Sequence, residues 1–353
     1  MRISQTRFRG FRNLENSLVT WHDGVNLLCG PNGAGKTNVL EALHILTGWG
    51  AFSGSKCSEA VRWGGRDGAG LAAQAAGERE CLLEASIQAR ASLRLDGKVC
   101  RWGDLRNCVQ SLSFLPEDMA LIEGSPAVRR RFLDVLCALY FPLYALKLSE
   151  YRKIVQNRRY LLTLGKDVRV TQETMADLAA WIWSCRGQVL EALRASIEKW
   201  GDLLPRKMEL TLKRGGAGNA ADPREDFLIS LGKMEDRERG ACTPLVGPHR
   251  DDLLLTCGGR AAAEVSSRGQ RRRSALALVM SAASAVESRY RAAPVLLLDE
   301  VTSELDAEGR RVLMECLDRS AWQVFAATAE PPPRNFRGAL WKVESGRIER
   351  AGL

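Results

Sequence analysis

No apolar run in this chain approaches the roughly 18 to 20 residues needed to span a bilayer. The longest strand-like one is Pro294-Val-Leu-Leu-Leu298. The N-terminus also lacks the apolar stretch of a signal peptide, because Met1-Arg-Ile-Ser-Gln-Thr-Arg-Phe8 alternates like a strand. A cytoplasmic protein with no membrane association is expected. Histidine is scarce, with three in 353 residues, and the ten cysteines are scattered without a C-x-x-C pair. That argues against a zinc site or disulfide framework and for buried, reduced thiols. Sustained heptads are missing, which excludes a long coiled-coil arm. No N-K-x-D string occurs, so a GTPase's base-reading element is lacking.

What is present is long enough for two folding units, each with its own core. The net charge of +9 favours a polyanionic partner, and its placement is uneven. Residues 129–160 carry eight Lys/Arg against two acids, whereas 161–200 carry five of each. The Gly- and Ala-rich stretch 48–115 has short alternating runs and a turn at Asp96-Gly97, as in a small antiparallel sheet. Ser125-Pro126 then starts a helix that Pro142 stops, and helical patterns fill 143–164 and 172–204. Residues 212–224 read as a Gly-rich turn. The expected architecture is α/β: a P-loop ATPase head of residues 1–118 plus 240–353, interrupted by a mainly helical domain, 119–239.

Gly30, Pro31, Asn32, Gly33, Ala34, Gly35, Lys36 and Thr37 fit G-x-x-x-x-G-K-[ST] between a strand and a helix. Glycines there let backbone N–H groups turn toward phosphate oxygens at a helix N-terminus. Lys36 supplies charge to the β/γ-phosphates of ATP, and the Thr37 hydroxyl is a ligand for Mg²⁺. The apolar run ending in Asp299-Glu300 suits a strand buried on both faces, with its acids at the sheet's carboxyl edge. Asp299 is the candidate metal partner and Glu300 the candidate general base. The same argument makes Lys36 and Glu300 the catalytic pair.

Ser266-Ser267-Arg268-Gly269-Gln270 precedes a helical run and resembles the ABC signature motif, with Ser267, Gly269 and Gln270 as its nucleotide contacts. Ser303-Glu304-Leu305-Asp306 resembles the D-loop, through Asp306. The resemblance implies an ATP-dependent homodimer with two composite sites. Further strings are similar to the RecF family of SMC-like ABC ATPases across nearly the whole chain. They are Phe11-Arg12-Asn13, Asn38 after the P-loop, Ser113 to Asp134, and Gly247 to Leu253. Membership implies an ATPase that dimerises on double-stranded, gapped or junction DNA. It implies partnership with RecR and RecO in loading RecA onto single-stranded gaps, with weak DNA-stimulated hydrolysis resetting the clamp. Glu300 departs from the second aspartate of many relatives. Thr328 falls at the switch position, within Thr328 to Pro333, and Glu117 stands where a Q-loop glutamine is expected.

Arg129, Arg130, Arg131, Arg152 and Arg159 are the DNA-binding candidates, since such residues neutralise phosphates without reading sequence. Arg268 and Arg271 to Arg273 adjoin the signature motif and suit either a dimer interface or DNA. His249 and Arg250 divide between nucleotide sensing and a structural role with Asp251, and Arg12 between a ligand contact and a solvated strand end. Two other functions compete. An ABC transporter subunit is opposed by the absence of Leu-Ser-Gly-Gly-Gln, of a histidine after Glu300, and of a short P-loop-to-Asp299 interval. The other is a nucleotide-gated DNA-binding module without significant turnover.

Overall fold

A computed structural model describes residues 1–52, 56–62, 68–216, 220–330 and 336–351. The end of the expected switch segment, Pro331 to Pro333, and part of the Gly-rich turn, 217–219, lie outside the described residues. Two compact units emerge. The first comprises Met1–Met119, Lys199–Pro205 and Ser267–Leu353, and the second Ala120–Glu198 and Arg206–Ser266.

In the first unit a sheet of six described strands runs in the order Arg347–Ala351, Ala339–Glu344, Val25–Cys29, Gln323–Thr328, Val295–Leu298, Ser111–Phe114. All neighbours pair in parallel except the Arg347–Ala351 edge. Val295–Leu298 and Gln323–Thr328 are buried at every position, as a parallel sheet covered on both faces requires. The helix Lys36–Leu46 packs on these two strands, and the helix Arg268–Tyr290 on Ser111–Phe114. From Ser274 to Val286 the latter helix is buried without interruption, so its sequence is apolar or small all round. A second sheet is antiparallel, in the order Ser17–Thr20, Arg2–Arg9, Ala69–Ala76, Cys81–Ile87, Ala91–Leu95, Lys98–Val99. Its last turn uses Asp96 and Gly97, both at positive φ (51° and 75°), the combination that a tight two-residue hairpin needs.

The second unit carries four long helices, Pro126–Tyr140, Tyr144–Thr163, Gln172–Ile197 and Pro223–Ala241. Ser125 and Pro126 begin the first as expected. Asp222 caps the last, its carboxylate accepting from the Glu225 N–H at 2.8 Å.

The partition differs from the expected boundary at 240. Strand Asp252–Cys257 pairs antiparallel with Glu209–Lys213, which draws 240–266 into the second unit. Conversely, Lys199–Pro205 joins the first unit, where the Trp200 indole donates to Ser284 Oγ at 3.0 Å. Strand pairing between distant segments leaves no local signature, so no composition shift marks either boundary. Of the tryptophans at helical spacing, Trp183 and Trp200 are buried, whereas Trp181 is half-buried.

The second unit's core is held by ion pairs as well as by apolar packing. Arg158 and Glu238, 2% and 0% exposed, meet at 2.7 Å. Removing one partner of a buried pair strands the other charge, a loss of about 3–5 kcal/mol. Arg158→Met therefore lowers unfolding stability by about that amount, and adding Glu238→Leu recovers much of the loss. Denaturant midpoints of the two variants check this, and equal midpoints for both refute it.

Candidate nucleotide site

Three strand ends of the parallel sheet converge on the site. Val25–Cys29 delivers the loop Gly30 to Gly35, Val295–Leu298 delivers Asp299 and Glu300, and Gln323–Thr328, between them, delivers Thr328. A cavity of about 540 Å³ opens there, within the range of small-ligand sites. Asn32, Gly33, Gly35, Lys36, Thr37 and Asn38 line one side, and Asp299, Glu300, Thr302 to Glu304 and Thr328 to Glu330 the other.

The loop's conformation depends on two glycines. Gly35 has φ +115°, and a Cβ there meets Asn13 Oδ1 at 2.8 Å. At Gly30 a Cβ meets the Val343 carbonyl at 2.0 Å, so the loop can pass that strand only with hydrogen in place. Lys36 Nζ donates to the carbonyls of Gly30 (2.7 Å) and Pro31 (2.9 Å), which holds the ammonium at the mouth of the loop. Ala34 lies behind, buried, its carbonyl accepting from Gly346 N–H at 2.8 Å. Burial lowers the Lys36 pKa from its ordinary value, an effect that the charge of Asp299 opposes.

Thr37 Oγ1 donates to Asp299 Oδ2 at 2.9 Å. Burial raises the pKa of Asp299, the Thr37 hydrogen bond lowers it, and the nearby Glu300 raises it further. A cation between these oxygens relieves that cost, so the pair fits the hydroxyl-and-carboxylate donor set of Mg²⁺. Among the described residues no group of three or more His, Cys, Asp or Glu side chains is arranged for a metal. Glu300 is exposed at the cavity edge with φ +47°, a left-handed conformation that a non-glycine residue adopts only under constraint.

Part of that constraint is Arg272, which sequence reasoning assigned to an interface or DNA. It is 2% exposed, lies over the Phe114 ring at 5.4 Å, and donates through Nη2 to the Glu300 carbonyl. Two further arginines of this helix are also engaged. Arg268 pairs with Glu304 at 2.6 Å, and Arg273 donates to the carbonyls of Leu203 and Asp202. Arginine triplets in a sequence do not reveal which member turns inward, since helical rotation sends successive residues in different directions.

Ser267 caps the helix Arg268–Tyr290. Its Oγ accepts from Gln270 N–H at 3.4 Å while Gln270 Oε1 accepts from Ser267 N–H at 3.0 Å, a reciprocal capping box. Ser267, Gly269 and Gln270 do not line the cavity formed by their own chain. Ser267 is exposed at the N-terminus of its helix. Asp306 does not line the cavity either; its Oδ1 caps the helix Ala307–Arg319 through Gly309 N–H at 2.7 Å. Glu117, in the expected Q-loop position, is likewise absent from the lining.

Several supports went unseen in the sequence. Arg12, itself at φ +46°, holds Glu41 on the P-loop helix with two bonds of 2.8 and 2.9 Å, so it is not a solvated strand end. Asn13 donates to the Gly33 carbonyl at 3.1 Å and accepts from Asn38 at 2.8 Å, bracing the loop. Thr328 meets Thr302 at 2.7 Å, oxygen to oxygen, which ties the switch strand to the segment after Glu300.

The DNA-binding candidates divide. Arg129 is committed to Asp252 (2.7 and 3.0 Å) and to the Gly124 carbonyl, with 13% of its side chain exposed, so it is a structural residue rather than a phosphate contact. Arg130 is half-buried and donates to the Asp251 carbonyl at 2.7 Å. Arg131 and Arg159 are exposed, as is Arg152 at 64%, which reaches Asp134 at 3.2 Å. His249 belongs to the second unit, bonded to the Tyr151 hydroxyl (2.8 Å) and the Pro244 carbonyl (3.2 Å), and Asp251 instead pairs with Arg186. Arg250 also donates to the Pro244 carbonyl, at 2.8 Å.

A P-loop and an Asp-Glu pair at the ends of the two strands that flank Gln323–Thr328, with a capped Ser-x-Gly-Gln helix in the same unit, define an ABC-type ATPase head. A model of the RecF/RecN/SMC N-terminal domain matches residues 2–333. The DNA replication and repair protein RecF of Roseiflexus castenholzii is 32% identical, with 99% of each chain covered. The RecF protein of Heliobacterium modesticaldum is 30% identical over 99% of this chain and 100% of its own length. Among solved structures, the recombination mediator protein RecF-ATPrS in the RecFOR pathway aligns with a TM-score of 0.87 at 26% identity, covering 99% of this chain and 98% of that one. An Smc head bound to the C-winged helix domain of ScpA, 17% identical over 100% and 98% of the chains, shares the fold at a TM-score of 0.62. This chain belongs to the RecF family of SMC-like ATPases. No helix among its described residues is long and apolar enough to cross a membrane.

Burial pushes the His249 pKa down to about 4. The unfolded chain, with its ordinary value near 6.5, then binds the extra proton first as pH falls. Stability supplied by neutral His249 is complete above about pH 6.5 and is lost between there and about pH 4, a loss on the order of 3 kcal/mol. His249→Gln removes this component, so the stability gap between wild type and variant narrows on acidification. Denaturant unfolding at pH 7 and pH 4.5 measures it; a pH-independent gap contradicts it.

Proposed function

We propose that this chain is an ATP-dependent DNA clamp of recombinational repair, two copies of which close on duplex or gapped DNA when ATP is bound. The observation that carries the reading is the arrangement of the site within one chain. Lys36, Thr37, Asp299 and Glu300 share one cavity, whereas Ser267 stands outside it at the exposed N-terminus of its helix. The P-loop half of an ABC site thus lacks the signature-helix serine within its own chain, and the exposed Ser267 is available to a neighbour.

In this reading the loop N–H groups and the Lys36 ammonium bind the β- and γ-phosphates, and Thr37 with Asp299 holds Mg²⁺. The magnesium ion supplies charge neutralisation along the phosphates. Glu300, held by Arg272 through its backbone, orients the attacking water and takes its proton. Ser267, at the N-terminus of the partner's signature helix, donates to the γ-phosphate, with the helix dipole adding favourable charge. Gly269 leaves that approach unobstructed, Gln270 holds Ser267 in its rotamer, and Asp306 sets the D-loop by capping the helix that follows. Cleavage of the triphosphate removes the γ-phosphate that the partner's Ser267 would bind, so hydrolysis favours opening of the site. Weak, DNA-stimulated turnover resets the clamp.

Arg131, Arg152 and Arg159 are the exposed cations for DNA phosphates, and binding through them is salt-sensitive. The family and the named pathway of its solved relatives support action with RecR and RecO, and RecA loading at single-stranded gaps, in the cytoplasm. The site also favours turnover over a purely nucleotide-gated module, since Glu300 stands at the cavity edge beside Asp299.

Lys36→Ala should abolish ATP-dependent dimerisation and duplex binding together, read by sedimentation with ATP, ADP and gapped duplex. DNA binding that persists unchanged without nucleotide refutes the clamp. Glu300→Gln should keep ATP binding and dimerisation while hydrolysis falls by roughly 10²–10⁴, the usual contribution of a general base. A variant that turns over at the wild-type rate removes Glu300 from that role.

A further inference from the structure

The second unit contains a cavity of about 280 Å³ distinct from the nucleotide site. Four arginines line it, Arg130, Arg131, Arg152 and Arg186, against a single carboxylate, Asp134. That carboxylate is already engaged. Its Oδ1 accepts from the Tyr144 hydroxyl (2.7 Å) and Arg186 (2.8 Å), and its Oδ2 accepts from Arg152 (3.2 Å). Arg186 is buried and spent on Asp134, Asp251 and the Pro248 carbonyl. Counting Asp251 with the wall, four cations meet two carboxylates, which leaves an excess of two positive charges at the mouth. Arg131 is exposed and joins no ion pair among the described residues, and Arg130 uses one Nη on the Asp251 carbonyl. Leu148 and Pro248 add an apolar wall.

Size, shape and charge together select the ligand. Guanidinium forks converging on a small concavity suit phosphate oxygens. The volume is just below that of drug-sized sites, enough for a phosphate and the sugar attached to it. An internal phosphodiester carries one negative charge and needs two chain exits. A terminal phosphate monoester carries about −1.5 to −2 at pH 7 and needs only one. We infer that this cavity is a subsite for the terminal phosphate of a DNA strand, bound by Arg130, Arg131 and Arg152. The inference rests on the clamp reading, because it takes DNA as the ligand. With it, the protein distinguishes a strand end from uninterrupted duplex without reading a base.

The test uses the full chain with saturating ATP and Mg²⁺ and fluorescence anisotropy at fixed salt. The probes are blunt duplexes of one sequence ending in 5′-phosphate, 3′-phosphate or hydroxyl. At least one phosphorylated end should bind roughly tenfold more tightly than the hydroxyl end, as expected for hydrogen bonds to a charged group. Arg131→Ala and Arg152→Ala should each reduce that preference toward unity. Lys153→Ala, an exposed change on the same helix that does not line the cavity, should keep it. Equal affinity for all three duplexes overturns the inference and leaves the clamp standing. A preference that survives both arginine variants places the phosphate elsewhere and also overturns it. Failure to bind any duplex removes the clamp reading and this inference with it.

Discussion

The parallel pairing of Val25–Cys29, Gln323–Thr328 and Val295–Leu298 is the constraint on which the nucleotide site depends. Backbone groups in strands buried on both faces have no solvent partner, so the register between them cannot slip without orphaning donors and acceptors. Given that register, the residues that follow each strand must emerge together at one edge. The P-loop, the Asp-Glu pair and Thr328 are neighbours for this reason, although the first two are separated by most of the chain. The Thr37–Asp299 hydrogen bond of 2.9 Å is the direct product of that alignment.

Around this edge a layer of polar side chains restricts what the sheet alone leaves free. Arg12 clamps the P-loop helix through Glu41, Asn13 bridges Gly33 and Asn38, and Arg272 secures the Glu300 carbonyl. Their effect is preorganisation. A non-glycine residue such as Glu300 in a left-handed backbone conformation is uphill by about 1–3 kcal/mol and persists only where its surroundings hold it. Arg272 also lies on the helix that Ser267 caps, so that helix is tied directly to the backbone of Glu300.

The second unit works differently. Asp251 sits fully buried, accepting from the Trp183 indole, the Gly215 amide and Arg186, while Arg158 and Glu238 pair out of contact with water. Several arginines of a basic stretch are thereby consumed internally, Arg129 and Arg158 among them. Those left over, chiefly Arg131, Arg152 and Arg159, are spared because their helix positions turn them outward. A run of like charge is therefore a poor guide to a binding face until the carboxylates that neutralise its members are located.

Much of the nucleotide site was legible because its groups are contiguous. Gly30 to Thr37, Asp299-Glu300 and Ser267 to Gln270 each depend on local geometry, a strand end, a tight turn or a helix N-terminus, which a short string encodes. The helix starts at Pro126 and the turn at Asp96-Gly97 were readable for the same reason. The sequence by itself thus determined the local motifs: a P-loop between a strand and a helix, an acidic pair at a strand end, and a capped Ser-x-Gly-Gln helix start. Tertiary structure alone decided that 240–266 belongs with the second unit, that Arg272 and Arg12 are braces, and that Arg129 is unavailable to DNA. Those outcomes depend on pairing between residues far apart in the chain, where the free energy of burying a charge or a strand edge is settled by a partner that no neighbouring residue announces.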